Sequence, residues 1–435
     1  TKNIFNNTFN NIIASTSGIF LMQVANGTGA IYGNTITNCT ASLNSIAGLS
    51  VTSGSFNIYG NTINTLSNAG SSAALNGINI SGGTTQNIYN NTVHTLISTA
   101  TSSTTSAIVI AGGTTVRVYK NKVYGISNSA LALASGGAYG INITGGATVS
   151  VYNNHIGNLT TPAANFDDAI RGISVGGGTT VNVYYNTVYI STSSTGVSFG
   201  SSALYANTGP TLDMRNNILY NISTPGSGAS GKTVAYRRNG TTLPSYSNSS
   251  DNNFFYAGTP GAKNLIFYDN SNFVQALASY KTLVGPQRDS TSVSASLATN
   301  FISLVGSSLN FLHLNGTSAA ESGAESITGY TDDYDDEPRF GNVGYIGTGT
   351  RADIGADEFE SIVCPATPTI TGISSAAPYY AGDVITITGT NLTGIAYATI
   401  NDINVTIGTV TATTAQLTIP VTMADSVGVI QVAFS

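Results

Sequence analysis

Residues 1–250 contain no glutamate and three aspartates: Asp167, Asp168 and Asp213. Glycoside hydrolysis needs two carboxylates across the scissile bond, and a calcium-assisted lyase needs an acidic cluster beside a lysine or arginine. Asp167 and Asp168 share the loop NFDDAIRG with Arg171, and Asp213 precedes Arg215 by two positions. A polysaccharide-active enzyme would have to rest on these five residues. The plainer reading of the loop trio is a local salt bridge. His94, His155 and His313 show no zinc-ligand spacing. There is neither a Gly-x-Ser-x-Gly elbow nor a P-loop.

A second acidic set lies further on. Residues 331–360 hold nine acids and two bases. Asp332, Asp333, Asp335 and Asp353 are the candidate ligands for a structural Ca²⁺, which takes six to eight oxygens. DDYDDE lacks the spacing of an EF-hand, so the alternative is a solvated acidic segment bridged by Arg339. No other cofactor is expected, and a non-catalytic chain is the favoured reading.

Composition narrows the classes further. The chain has 435 residues, 41% hydrophobic and only 8% charged, with a net charge of −6. A large core is available, and outside the acidic segment the charges nearly cancel. No basic face exists to neutralise phosphates, which excludes nucleic acid as a partner. No run of 18 apolar residues occurs, so no membrane span is expected. Cys39 and Cys364 fall in different modules and are not paired.

These residues must be held by a repeat. A phrase such as NIYNNTV recurs, anchored on Asn7, Asn34, Asn61, Asn91, Asn121, Asn154, Asn186, Asn217 and Asn253, at spacings of 27–36 residues. Periods in this range mean a solenoid. A second phrase, GINI or GISV, precedes most anchors, and within each phrase the apolar residues alternate with period two, the signature of strands. About 30 residues with two or three short strands and one variable loop predict a right-handed parallel β-helix of about nine coils. The insertions, such as STATSSTTS at 98–106, are expected on one side.

The anchor asparagines Asn34, Asn61, Asn91, Asn121, Asn154, Asn186 and Asn217 are expected to bend the chain, since Asn tolerates the left-handed region. Stacked about 4.8 Å apart, they would also bond along the column as a ladder. Tyr32, Tyr59, Tyr89, Tyr119, Tyr152 and Tyr184 form an outward column, continued by Arg215 and Asp251 as a cross-rung pair. Aromatic stacking alone accounts for such a row. The functional reading is a stripe for polysaccharide or another cell-surface partner. Thr8, Thr35, Thr62, Thr92 and Thr187 form another column, which Lys122 and His155 interrupt. That interruption argues against a flat ice-binding array.

After Asn253 the rhythm stops. NFVQALASYKTLVG (272–285) has helical spacing and begins at the possible cap Asn272. The order of that segment, FLHL, DDYDDEPR and ADIGADEFE resembles the closing region of secreted right-handed parallel β-helix proteins of the Bacteroidota. Asp332, Asp335, Arg339, Asp353, Ile354, Gly355, Ala356 and Glu358 carry the match. Asp336 departs from it, standing where the turn usually has Gly. The resemblance implies a cap over the open end, and a secreted or cell-surface location in a Gram-negative bacterium using type IX secretion. The short strings DST and DSV resemble O-glycosylation sites of that phylum, which would place sugars at Ser290 and Ser426.

CPATP (364–368) reads as a linker. The strands beyond it resemble the IPT/TIG family of immunoglobulin-like domains, on Pro368, Ile370, Gly382, Val384, Ile387, Gly389, Asn391, Leu392 and Pro420. The organisation expected is therefore a β-helix over 1–270, a cap with a short helix and acidic segment over 271–361, a linker over 362–368 and an Ig-like domain over 369–435. Starting inside a repeat, the chain reads as a fragment whose further domains would be partners. The function expected is an adhesin or stalk segment, with a polysaccharide lyase or glycosidase as runner-up and a purely structural filament as the third reading.

Overall fold

The computed structural model describes residues 1–70, 72–130, 135–360, 369–373, 379–395, 397–400, 403–421 and 430–433. Cys364, Pro368, Ser426 and the linker at 362–368 lie outside the described residues. The chain divides into two compact units, 1–361 and 362–435.

The first unit is a parallel β-solenoid of about nine coils with three sheets. An eight-stranded sheet, from Lys2–Phe5 to Thr211–Arg215, carries the tyrosine column. A twelve-stranded sheet, from Thr8–Asn10 to Phe254–Tyr256, carries the threonine column. In a ten-stranded sheet, parallel strands from Ile19–Val24 to Asn264–Tyr268 carry the GINI phrase. Ile58, Ile88, Val118, Val151 and Val183 stack in register on the inner side of the first sheet and are fully buried. Burial of each contributes about 1.5–3 kcal/mol, which no single coil could supply for itself.

The asparagine ladder forms. Each anchor Nδ2 donates to the next anchor's Oδ1 at 2.9–3.0 Å, from Asn7 through Asn253. Each anchor's backbone N–H reaches the same oxygen. The bend, however, is made by the residue before the anchor. Asn6, Gly33, Gly60, Asn90, Lys120, Asn153, Tyr185, Asn216 and Asn252 hold φ between 51° and 62°, and no anchor does. The anchors point inward and could not serve the ladder from a left-handed position.

A ladder of amides must end on an acceptor, because its last Nδ2 still has protons to give. Asn253 donates to Asp289 Oδ1 at 3.0 Å. Asp289 also accepts from Ser292 and from the hydroxyls of Tyr246 and Tyr280. Burial pushes its carboxyl above the usual range, against the pull of those donors. The DST string is thus a ladder terminus. The exposed Ser290 after it donates its hydroxyl to Asp251 at 2.7 Å.

The helix spans Leu277–Val284 and starts later than Asn272. Phe273–Val274 first pairs antiparallel with Asn264–Tyr268, and Asn272 bonds Asp269 instead of capping. Tyr280 and Val284 bury against the last coil, where Tyr280 meets Phe255 and Phe267 at 5.3 and 5.1 Å. This is the cap. The acidic segment takes no part in it. Residues 293–360 form a strap that runs back along the flank of the solenoid, and their apolar side chains join a separate cluster with Tyr185, Tyr189 and Tyr220.

The second unit contains two antiparallel sheets. One holds Thr369–Ile373, Val384–Thr390, Thr406–Val410 and Thr414–Thr418; the other holds Tyr397–Ile400, Ile403–Asn404 and Ile430–Ala433. Ile385, Ile387, Leu392, Ile400 and Leu417 form its core. A Cβ on Gly389 would lie 1.9 Å from the Thr369 carbonyl, and Gly382 and Asn391 hold positive φ.

Candidate functional site: the strap against the solenoid flank

The left-handed corner column is where the strap docks. Lys120 Nζ pairs with Asp332 and Asp336 at 2.6 and 2.5 Å. Asn153 Nδ2 donates to the Asp332 carbonyl, the Tyr185 hydroxyl and Asn216 Nδ2 to the Glu325 carbonyl, and Asn252 Nδ2 to the Gly323 carbonyl. A left-handed tyrosine is strained by about 1–3 kcal/mol, and at Tyr185 these contacts hold it there. Asp336 itself has φ 69°, in the left-handed region that favours Gly, Asn or Asp.

Arg339 fastens the strap. It is 1% exposed and lies 4.0 Å over the Tyr185 ring. Its guanidinium donates to Glu358, Asn153 and the carbonyls of Asp332, Asp353, Gly355 and Ala356. Ala356 N–H in turn donates to Thr187 of the threonine column. Two interruptions of that column are strap contacts as well. Lys122 Nζ donates to the Ser308 carbonyl. His155 stacks on Tyr334 at 4.2 Å and meets His313 edge-on at 4.9 Å. Burial first, then the charges of His313 and Lys122, hold His155 neutral. Gly157 leaves room for Phe311, whose ring would stand 2.9 Å from an added Cβ.

The tyrosine column splits accordingly. Phe5, Tyr32, Tyr59, Tyr89, Tyr119 and Tyr152 stack with centroids 4.7–5.0 Å apart and planes within 13°. Between Tyr152 and Tyr184 the stack breaks: Tyr330 of the strap meets both rings edge-on at 4.8 and 5.0 Å. Tyr184 is buried and donates its hydroxyl to Asp213 at 2.8 Å. Tyr184 is therefore closed to a partner, and Tyr152 meets Tyr330 on one side while staying partly exposed. Tyr32, Tyr59, Tyr89 and Tyr119 stay half-exposed, but their faces are occupied by one another, so a partner meets edges and hydroxyls. Burial, then Tyr89, then Asp332 push the Tyr119 hydroxyl up to about 12.

The proposed calcium ligands do not converge. Asp332 is held by Lys120. Asp333 accepts the amides of Asp335, Glu337 and Glu358, and Asp353 those of Ser322 and Phe359. Their oxygens are committed to backbone donors that shape the strap. Only Asp335 faces a potential ligand, beside His313 and Asp357.

The five candidate catalytic residues form two groups on different sheets. Asp167 takes both Nη atoms of Arg237 at 2.9 Å, and Asp168 takes Arg171 Nε at 2.8 Å and the Ser202 hydroxyl. Arg171 lies 3.5 Å over the Tyr205 ring. Asp213 and Arg215 pair with each other at 2.6 Å on the tyrosine sheet, and Asp251 bonds Ser290, so the cross-rung Arg215–Asp251 pair does not form. Sequence reasoning missed Ser202, Tyr205 and Arg237. The repeat could have found them: Arg171 registers with Ser202, and Ser174 with Tyr205 and then Arg237.

Fold and flank together define a parallel β-solenoid with a capping helix, a lateral strap and a small antiparallel domain. Residues 368–432 match the IPT/TIG domain family. No curated protein and no solved structure matches the chain. Among the described residues no helix is long and apolar enough to cross a membrane.

Proposed function

We propose that the chain is a non-catalytic segment of a secreted or cell-surface protein of a Gram-negative bacterium, an adhesin or stalk that meets a glycan or another surface with the open flank of coils 1–4. The observation that carries this reading is where the strap docks: its bonds and ring contacts fall on coils 5–9. The flank beyond offers hydrogen-bonding rows at rung spacing, namely the hydroxyls of Tyr32, Tyr59 and Tyr89, the amides of Asn57 and Asn87, and the threonines Thr35 and Thr62. A linear polymer of hydroxyl-bearing units suits such rows. The paired acids of residues 1–250 weigh against a lyase or glycosidase, since each carboxylate already answers an arginine.

The test is binding of the whole chain to immobilised polysaccharides and cell surfaces. The triple variant Tyr32→Ala, Tyr59→Ala, Tyr89→Ala should bind at least about tenfold more weakly. Undiminished binding would remove the stripe. No binding to any surface would favour a purely structural filament segment.

A further inference from the structure

His313, Asp335 and Asp357 come from three separate stretches of the strap, and one ligand atom from each lies within 4.8 Å of the others. Metal–ligand bonds of about 2.0–2.2 Å need ligand atoms roughly 3–4 Å apart, a small closure from this geometry. His313 Nε2 is the telling atom. It is buried and makes no hydrogen bond, although Asp335 Oδ2 is 2.8 Å away. The distance suits a bond but the direction does not, as when nitrogen and oxygen both aim at a shared third centre. His155 Nε2, buried in the ring that abuts His313, is also without a partner. Buried polar atoms in native proteins are rarely left so. Asp357 Oδ2 accepts the Leu314 N–H at 2.8 Å, and among the described residues no hydrogen bond uses Oδ1.

We propose that His313, Asp335 and Asp357 bind a divalent transition-metal ion of the Zn²⁺ type, which ties the 331–338 turn to the inner side of the strap. An imidazole nitrogen with two carboxylate oxygens suits zinc and its first-row neighbours, whereas Ca²⁺ wants six to eight oxygens. Charge argues the same way, because a dication with two carboxylates and a neutral imidazole is balanced. Three protein ligands leave a position open, and it faces a groove of about 650 Å³ lined by Thr92, Lys122, Tyr334 and Glu337. All three ligands belong to the strap, and the proposal does not depend on the glycan reading.

The experiment is calorimetric titration of the chelator-treated full chain with Zn²⁺, Co²⁺ and Ca²⁺ separately, with visible spectroscopy of the Co²⁺ form. One equivalent of Zn²⁺ should bind, Ca²⁺ should not displace it, and Co²⁺ should give the absorption of a low-coordinate N/O site. His313→Ala and Asp335→Asn should each weaken Zn²⁺ by at least about tenfold. Asp335 is exposed, so its variant keeps the fold and tests the site independently of the buried histidine. Asp336→Asn, one residue outside the cluster, should bind as the parent does. Absence of Zn²⁺ binding by the parent chain, unchanged affinity in Asp335→Asn, or Ca²⁺ held more tightly than Zn²⁺ would each overturn the proposal.

Discussion

Coils 1–4 and coils 5–9 are written in one phrase and end in two environments. Both halves keep apolar inner positions and the ladder asparagines, with Ile4, Ile31, Ile58 and Ile88 followed by Val118, Val151, Val183 and Met214. The difference lies in two outward columns. At the left-handed corner, Asn6, Gly33, Gly60 and Asn90 are followed by Lys120 and Tyr185 among the further asparagines Asn153, Asn216 and Asn252. In the next column the run of threonines gives way to Lys122 and His155. Every one of those five corner residues reaches the strap, Arg339 bonding Asn153 and stacking on Tyr185. Breaks in a repeat can therefore mark a docking face as well as a decayed copy. Here the corner side chains, long or hydrogen-bonding, span the gap to a segment 71 to 216 residues further along the chain.

The comparison can be broken most severely at Arg339. Arg339→Ala removes a buried cation that six acceptors and one ring share, and should cost the strap about 3–5 kcal/mol. Hydrogen exchange should then rise across 293–360 and at the amides of coils 5–9 beneath it, with coils 1–4 unchanged. Equal loss in both halves would mean that the strap supports the whole solenoid.

The ladder sharpens the comparison from the opposite side, since it is common to both halves. Asn61→Ala and Asn154→Ala each orphan two carbonyls and the partner amides, at about 2–3 kcal/mol by chemical denaturation. The two values should agree within about 1 kcal/mol. A clearly larger cost at Asn154 would show the strap stiffening the coils it covers. Asp289→Ala should resemble them, because it strips the ladder of its final acceptor.

Lys120→Ala is a smaller cut. Its partners Asp332 and Asp336 are 42% and 74% exposed, so screening limits the loss to about 0.5–1 kcal/mol, confined to the 331–338 turn.

The mildest perturbation is pH. Burial, then the charge of Glu358, pushes the Asp353 carboxyl up to about 8, far above its value in an unfolded chain. A carboxyl raised in the folded state stabilises below its unfolded pKa, and that stability is lost as pH rises through the folded value. Exchange protection in the strap should thus fall gradually from about pH 4 to beyond pH 8, while coils 1–4 stay level. A flat profile in the strap would show Asp353 to be ionised throughout.

Much of this was legible before any coordinates. Alternation in NIY and GINI, repeated at near-constant spacing, leaves few folds, and stacking puts Ile88 inside and Tyr89 outside. The IPT/TIG pattern was readable because Gly382, Gly389 and Asn391 stand where the backbone admits little else. What misled was local reading of residues whose partners are remote. Asp289 showed nothing of its role as a ladder terminus, because the ladder it ends begins at Asn7. Asp332, Asp333 and Asp353 resembled calcium ligands because a sequence shows carboxylates but not the amides that occupy them. Tyr152 and Tyr184 looked identical to Tyr59 because nothing nearby announces Tyr330.

The sequence alone determined the coil: period-two burial and a buried amide every 27–36 residues are properties of the repeat, and each rung meets only its neighbours. Only the tertiary structure decided which flank is covered, which tyrosines the strap meets and which acids are taken up by backbone amides. The physical reason is separation. Rung contacts recur at a fixed interval that can be counted along the chain. The strap's contacts join residues such as Lys120 and Asp332 with no period between them, and they exist only once the chain has turned back on itself.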